Sequence, residues 1–365
     1  MPSTIRFLKQ YLRPVDGATV AAETVYMRGD EELPATVFRP ARGPRQLPAW
    51  VLLHGLTRPG RAHPSLQRFA RAVASAGNIV FVPEIPEWRD LRVAPAIAID
   101  TIRQAVRALQ ERADVRHEHV GLFGFSFAAT QALIAAADEE TARLLAGVAA
   151  WGGYSDLRRL FRFGLTGDHE LDGVTYHTEP DPYGCWIMAG NYLTRVPGHE
   201  RAHDVSAALH DLALEAGERG MYAWDPVFDE AKRRLRQRLD VDGRDLFDMI
   251  APETTAPRRD HQRVLDLAES LARTALEADP LLDPMPFLAG VRVPILFSHG
   301  RDDRLIPFTE TIRLSRAVPD QHVRTTIITA LFQHSGGTQS GLGLLGVARE
   351  GARFALLLRR VLALV

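Results

Sequence analysis

Short apolar runs without alternating polar residues recur through the first 150 residues of the chain, separated by helical patterns, and return near its end. Runs of this kind are typical of strands buried on both faces, which occur in parallel sheets covered by helices. A helix between two of them shows three- and four-residue apolar spacing from Ile99 to Leu109. We therefore predict an α/β fold: a mostly parallel central sheet with helices on both faces. The predicted strands are 34–38, 50–53, 79–82, 120–123, 147–151, 293–298 and 323–330.

The middle of the chain has a different character. It is rich in charge, aspartate and histidine, it lacks buried-strand runs, and helical patterns cover 204–219, 226–239 and 262–278, separated by proline and glycine turn signals. The sequence thus predicts one core domain from 20–153 and 286–365, interrupted by a mainly helical cap or lid insertion at 154–285. Residues 1–19 are predicted to be an N-terminal extension packed on the core.

Composition excludes several classes of function. The 365 residues carry a formal net charge of −1, so no basic excess attracts nucleic acid. Cys185 is the only cysteine, which excludes an intramolecular disulfide framework and a cysteine-based zinc site. No run approaches the ~18 apolar residues that span a membrane, and none of signal-peptide length begins the sequence. We expect a cytoplasmic protein without a cofactor.

The strand 120–123 leads into the most informative motif of the chain. The run Gly124-Phe125-Ser126-Phe127-Ala128 matches the G-x-S-x-G nucleophile elbow, with alanine as the last small residue. Small residues are needed two positions either side of the serine, because the strand and helix backbones approach closely there. The pattern predicts that Ser126 is a nucleophile and that the backbone N–H of Phe127 is aimed at a developing oxyanion. A glycine- and serine-containing turn that only packs is the alternative.

Two other strands also lead into short motifs. The strand 50–53 is followed by His54-Gly55-Leu56, and at this point the chain resembles the α/β-hydrolase superfamily. The resemblance covers about 20–152 and 290–365. It implies that Leu56 donates the second oxyanion-hole N–H, whereas His54 is expected to form hydrogen bonds within its loop.

The late motifs extend the resemblance to the other end of the chain. The run His299-Gly300-Arg301-Asp302-Asp303, followed by Pro307, is similar to the family's H-G-x-x-D-x-x-x-P pattern. That similarity implies Asp303 as the triad acid, in preference to Asp302. It also implies His334, in the loop after the last strand, as the general base. The order Ser126, Asp303, His334 is the order expected for this fold.

These expectations describe a serine hydrolase that forms an acyl-enzyme on a small-molecule ester or acyl substrate. Carboxylic-ester hydrolysis is the preferred activity, with thioesterase and peptidase activity as possibilities within the class. One alternative is a zinc metallopeptidase using His199-Glu200-x-x-His203, which fits the H-E-x-x-H pattern. Another is a non-catalytic binding protein with a hydrolase fold. The substrate's acyl and alcohol groups and the oligomeric state stay open.

Other residues of the insertion support weaker interpretations. The acidic and histidine-containing stretches 168–172 and 177–181 fit a solvated loop better than a metal cluster. Tyr183, Trp186, Met188 and Tyr192 are expected to pack in the cap core, and the lining of an acyl pocket by some of them is the less favoured alternative. Cys185 is expected to be an inert packed thiol.

Overall fold

The computed structural model describes residues 2–256, 260–331 and 344–365, without the side chains of residues 344 and 345. The strands are β1 Thr19–Arg28, β2 Glu31–Pro40, β3 Leu47–Leu53, β4 Ile79–Pro83, β5 Val115–Phe125, β6 Gly147–Trp151, β7 Asp168–Leu171, β8 Val174–His177, β9 Ile295–Gly300 and β10 Val323–Thr329. The helices are α1 Pro2–Leu12, α2 Pro64–Ser75, α3 Pro86–Arg89, α4 Pro95–Gln110, α5 Phe127–Ala137, α6 Glu139–Ala142, α7 Leu157–Thr166, α8 Tyr183–Tyr192, α9 His203–Arg219, α10 Asp229–Arg236, α11 Val241–Ile250, α12 His261–Ala278, α13 Met285–Leu288, α14 Phe308–Ala317 and α15 Leu344–Val361.

One large sheet organises the fold. Its strand order among the described residues is β1-β2-β4-β3-β5-β6-β9-β10. The pairs β1–β2 and β2–β4 are antiparallel, and every later pair is parallel. The inner strands are buried on both faces, as their unbroken apolar runs predict. Because parallel strands end at the same edge, the residues that follow β3, β5 and β9 share one side of the molecule.

Helices cover both faces of this sheet. The face toward α4 and α5 joins the main apolar core, which also contains residues of the insertion. The opposite face packs on α1, α2 and α15, where Phe7 and Phe69 meet edge to face with ring centroids 5.3 Å apart. None of the helices in the described ranges has both the length and the apolar character needed to cross a membrane.

The chain between β6 and β9, residues 152–294, is called the insertion here. It contributes no strand to the large sheet within the described ranges and contains α7 to α13 together with the hairpin β7–β8. The hairpin adds two short strands to the mainly helical segment that the sequence predicts. Its four-residue strands are partly exposed, so they carry no buried-strand run that a sequence pattern could show.

Two further elements differ from the sequence prediction. Strand β1 was not predicted because it lies at the sheet edge, where Val20, Val25 and Met27 are exposed and no buried run forms. The single helix predicted at 226–239 is a 3₁₀ turn, Pro226–Phe228, followed by the shorter α10.

Candidate active site

Ser126 lies at a sharp turn between β5 and α5. Its backbone has φ +59° and ψ −132°, a conformation that costs a non-glycine residue on the order of 1–3 kcal/mol. The turn is held by the Ser126 N–H, which donates to the Trp151 carbonyl at 2.8 Å, and by the Ala129 N–H, which donates to the Ser126 carbonyl at 2.9 Å. Strain retained in this way at a strand end points to a functional role for the side chain.

The small residues of the motif are required by close backbone packing. A Cβ on Gly124 would lie 2.4 Å from the Ala128 carbonyl oxygen and 2.8 Å from the Ala129 Cα, so no larger residue fits without moving the helix. Ala128 is fully buried. The N–H of Phe127 lies in the first turn of α5, where N–H groups have no acceptor within the helix.

The loop after β3 is fixed by His54, which is 1% exposed. Its Nδ1–H donates to the Gly55 carbonyl at 2.8 Å, and its Nε2 accepts from the Ile85 N–H at 3.1 Å. These two bonds specify the neutral ring, and burial lowers the pKa of His54 to about 4. The bond to Gly55 is the expected hydrogen bond of His54 within its loop. The bond from Ile85 also links this loop to the residues after β4.

The same bond orients Leu56. The Gly55 carbonyl and the Leu56 N–H belong to one planar trans peptide, so fixing the carbonyl on His54 directs the N–H to the opposite side. Gly55 lies against the nucleophile turn, since a Cβ on it would be 3.5 Å from the Ser126 Cβ. This arrangement is compatible with the role that the sequence predicts for Leu56.

Asp303 lies in the loop after β9 and is 1% exposed. Its Oδ1 accepts from the N–H groups of Leu305, at 2.9 Å, and Ile306, at 3.1 Å. The neighbouring Asp302 is exposed. Only β6 separates β5 from β9, so the ends of the strands that carry Ser126 and Asp303 are about 10 Å apart on the same sheet edge.

His299, buried at the end of β9, braces the Asp303 loop. Its Nε2–H donates to the Ile306 carbonyl at 2.8 Å, and its Nδ1 accepts from the Thr311 hydroxyl at 2.6 Å. Its Nε2 also lies 3.6 Å from Asp303 Oδ2. The loop is thereby tied both to itself and to α14. The third predicted residue, His334, lies outside the described residues.

A largely apolar cavity opens beside Ser126. The core wall is formed by residues that follow strands of the sheet: Leu56, Ser126, Phe127, Leu305 and Ile306. The insertion wall is formed by residues of the insertion: Tyr154, Leu157, Leu160, Phe161, Gly164, Asp181, Tyr183, Gly184, Cys185, Ile187 and Met188. The structure therefore brings Ser126, Leu56 and Phe127 to one cavity.

The insertion wall includes residues that sequence reasoning missed. The apolar face of α7, with Leu157, Leu160 and Phe161 at helical spacing, could have been found from its three- and four-residue periodicity. Tyr183 and Met188, for which packing in the cap core was the preferred prediction, line the cavity, whereas Trp186 is fully buried in the insertion. Cys185 is buried, and burial raises the pKa of its thiol to about 12.

Asp181 contradicts the prediction of a solvated loop at 177–181. It is 5% exposed and lines the cavity, and among the described cavity-lining residues it has the one carboxylate. Its N–H donates to the Arg304 carbonyl at 2.7 Å, which attaches the insertion to the loop after β9. Its Oδ1 accepts from the Tyr183 N–H at 3.0 Å. A sequence window cannot show this burial, because the covering residues come from distant parts of the chain.

Glu310, on α14, holds the beginning of the insertion. It is 1% exposed, and its Oε2 accepts from the Ser155 N–H at 3.0 Å, the Ser155 hydroxyl at 2.6 Å and the Asp156 N–H at 3.0 Å. Its Oε1 accepts from Arg159 Nε at 2.8 Å. Asp156 in turn caps α7 by accepting from the Arg158 N–H. The cavity-lining helix thus starts from a buried, charge-assisted clamp.

The H-E-x-x-H motif does not form a helical zinc site. Helix α9 begins only at His203, so His199 and Glu200 precede it in a turn, and Glu200 is exposed and accepts from the Gly198 N–H at 3.1 Å. Two histidines would need consecutive turns of one helix to share a face. Across the described ranges, no three His, Cys, Asp or Glu side chains are grouped so as to hold a metal ion.

Comparisons with known proteins agree with this architecture. No family model and no curated protein sequence matches the chain. Among solved structures, a Bacteroides ovatus protein provisionally described as a dipeptidyl aminopeptidase IV superposes with a TM-score of 0.51 and 12% identity, covering 95% of this chain and 37% of that one. An acylaminoacyl peptidase in complex with a chloromethyl ketone superposes with a TM-score of 0.50 and 13% identity. The superposition covers 94% of this chain and 41% of that one.

The chain thus spans about two fifths of these peptidase chains, which restricts the likeness to one part of them. At such low identity a superposition establishes the fold and nothing finer. The likeness concerns the fold, and it agrees with the mostly parallel sheet of this chain. The protein is a member of the α/β-hydrolase fold class.

Proposed function

We propose that the protein is a serine hydrolase that acts on carboxylic esters through an acyl-enzyme on Ser126. The observation that carries the proposal is the strained Ser126 conformation at the β5–α5 turn, beside an apolar cavity. Structural serines rarely need a left-handed φ, whereas a nucleophile is exposed by this turn at the carboxyl edge of the sheet.

The proposed chemistry is acyl transfer. His334 takes the proton from the Ser126 hydroxyl as its oxygen attacks the substrate carbonyl, and the N–H groups of Leu56 and Phe127 stabilise the resulting oxyanion. The carbon–oxygen bond to the alcohol then breaks, and His334 returns its proton to the leaving alcohol. Water repeats the attack with His334 as base, which frees the carboxylic acid and Ser126.

In this scheme Asp303 orients His334 and stabilises its protonated form. Support comes from the burial of Asp303 and from the two backbone N–H groups that hold its Oδ1. Two strand spacings between β5 and β9 leave room for an imidazole between the serine and the acid.

Peptidase activity is the second candidate, because the two superposed structures described above are peptidases in name. The cavity supports a small substrate, since its lining is mainly apolar and has a few polar groups, among them the Asp181 carboxylate. An ester is therefore preferred over a peptide, whose backbone amides would need more polar partners than the described lining supplies.

The test is hydrolysis of a panel of 4-nitrophenyl esters of two to eight carbons, with alanine 4-nitroanilide as the amide substrate. We expect ester turnover that Ser126→Ala removes while the circular dichroism spectrum is unchanged. Turnover that survives Ser126→Ala would contradict the proposal. No turnover of any ester or anilide by the folded protein would favour the non-catalytic binding protein.

A further inference from the structure

Asp181 is the unexplained charged group of the cavity. The scheme proposed above gives it no part, yet it lies on the insertion wall of the same cavity that Ser126 lines. The cavity lining is otherwise apolar apart from Ser126, the Tyr154 and Tyr183 hydroxyls and the Cys185 thiol. Its two backbone contacts, from Tyr183 and from Ala223, satisfy part of a carboxylate that has room for several hydrogen bonds.

A buried carboxylate is costly unless a positive group offsets its lost hydration. Burial and, to a smaller extent, the nearby Asp303 raise the pKa of Asp181 to about 6, while its backbone hydrogen bonds and Arg304 act in the opposite direction. At neutral pH the group is therefore still mainly ionised. An ionised carboxylate in a largely apolar cavity attracts a cation.

Among the described residues, no cationic side chain is paired with the Asp181 carboxylate. Arg304, the cationic neighbour, places its guanidinium 4.5 Å from the centre of the Trp224 ring, and no described arginine, lysine or histidine forms an ion pair with Asp181. Arg58 is engaged with Glu218 and Asp90. Among the described residues, the Asp181 carboxylate therefore has hydrogen bonds but no ion pair, and it lines the cavity.

Resting on the proposed hydrolase function, we propose that Asp181 binds a protonated amine of the substrate, so that the preferred substrates are esters or amides with a cationic nitrogen near the scissile carbonyl. The apolar remainder of the cavity takes the hydrocarbon part of the same group. Asp181 is in this account a specificity residue, which contacts substrate and takes no part in proton transfer.

The experiment compares substrates of equal shape that differ only in charge. One pair has the charge in the acyl group: the 4-nitrophenyl esters of 4-(dimethylammonio)butanoate and 5-methylhexanoate. The other has it in the alcohol: the 2-(dimethylammonio)ethyl and 3-methylbutyl esters of butanoate. For each pair the measured quantity is the ratio of kcat/KM for the cationic ester to kcat/KM for the neutral ester.

We expect Asp181→Asn to lower this ratio roughly tenfold or more for one pair, as is typical for the loss of a charge-assisted hydrogen bond. The asparagine Oδ1 can still accept the Tyr183 N–H, and Asp181→Ser provides a second variant with an acceptor at this place. The matched control is Glu179→Gln, which removes an equal charge two residues away at an exposed position. It should leave the ratio unchanged.

A binding measurement separates this proposal from the proposed chemistry. 3-Methylbutylammonium should raise the Tm of the wild-type protein and of Ser126→Ala, but not that of Asp181→Asn, whereas 3-methylbutan-1-ol should affect all three alike. Ratios equal within twofold in wild type and Asp181→Asn, or an ammonium shift that persists in Asp181→Asn, would overturn the amine site. An ammonium shift without turnover of any ester would instead overturn the hydrolase and keep the site.

Discussion

The core wall and the insertion wall of the cavity are positioned in different ways. On the core wall, backbone geometry decides: Gly124 and Ala128 permit the close turn, and the His54 bond orients the peptide of Gly55 and Leu56. On the insertion wall, long-range contacts decide: Glu310 holds the first residues before α7, and the Arg304 carbonyl holds Asp181.

In the proposed function the two walls have different roles: the core wall carries out the reaction, and the insertion wall selects the substrate. The core wall depends on short segments next to strand ends, and a sheet can keep such segments while the rest of the chain changes. The insertion wall supplies most of the lining and its carboxylate, so it sets the shape and charge that a substrate meets. Substitutions on the two walls should accordingly affect different quantities, the rate of reaction on one and selectivity or stability on the other.

The largest expected effect concerns Asp303, the proposed triad acid, whose loop also provides Leu305 and Ile306 of the core wall. Asp303→Asn should lower kcat on 4-nitrophenyl butanoate by roughly 10⁴-fold, because the amide favours the wrong tautomer of the histidine. Asp302→Asn is the matched control, since Asp302 is the adjacent, exposed carboxylate, and it should stay near the wild-type rate. Steady-state kinetics measure kcat for both variants. A large loss of kcat in Asp302→Asn with a near-wild-type kcat in Asp303→Asn would make Asp302 the acid and contradict the assignment of Asp303.

The next effect is a pH dependence of stability on the core wall. The pKa of His54 is about 4 in the folded protein and about 6.5 when unfolded, so its contribution is complete above pH 6.5 and lost as the pH falls toward 4. The difference of 2.5 units corresponds to about 3 kcal/mol. Between pH 7 and 4 the wild-type free energy of unfolding should fall by about that much more than that of His54→Asn.

Urea unfolding at the two pH values measures this difference. His117→Asn is the control, because His117 is exposed and should leave the pH dependence as it is. An equal slope in wild type and His54→Asn would show that His54 is not held neutral by burial, and the fixed orientation of the Leu56 peptide would lose its support.

The smallest expected effect concerns the anchor of the insertion wall. Glu310→Gln places an amide NH₂ against donors that now face a carboxylate, which should cost about 2 kcal/mol of unfolding free energy. Glu269→Gln is matched to it, because Glu269 pairs with Arg158 at the surface and such pairs contribute about 0–1 kcal/mol. Denaturant titration of both variants measures their free energies of unfolding. Equal losses of unfolding free energy in Glu310→Gln and Glu269→Gln would contradict the role of Glu310 in holding the start of the insertion.

The same contrast between local geometry and long-range contacts explains why the sequence predicts the core wall better than the insertion wall. The Ser126 turn, the His54 loop and the Asp303 loop are local, since each needs only a strand end and a few fixed residue types, and the chain shows them in order. Strand β1 escaped prediction because its exposed valines and methionine leave no buried run. His334 stays a prediction, because it lies outside the described residues.

Asp181 shows why the insertion wall was less predictable. In sequence it stands among acidic and polar residues with a proline, a pattern typical of a solvated loop. Its burial depends on Arg304, 123 residues further along the chain (304 − 181), and on neighbours such as Ala223 and Tyr183. The periodicity of α7 could have indicated an apolar helix face, but not that this face would meet Ser126.

The most direct test of the central claim, that Ser126 is the nucleophile, is labelling of the folded protein with a fluorophosphonate followed by peptide mass spectrometry. The account predicts one added phosphonyl group on the peptide that contains Ser126, none in Ser126→Ala, and slower labelling in His334→Ala. Labelling at another residue, or no labelling of wild-type protein that unfolds cooperatively, would contradict it.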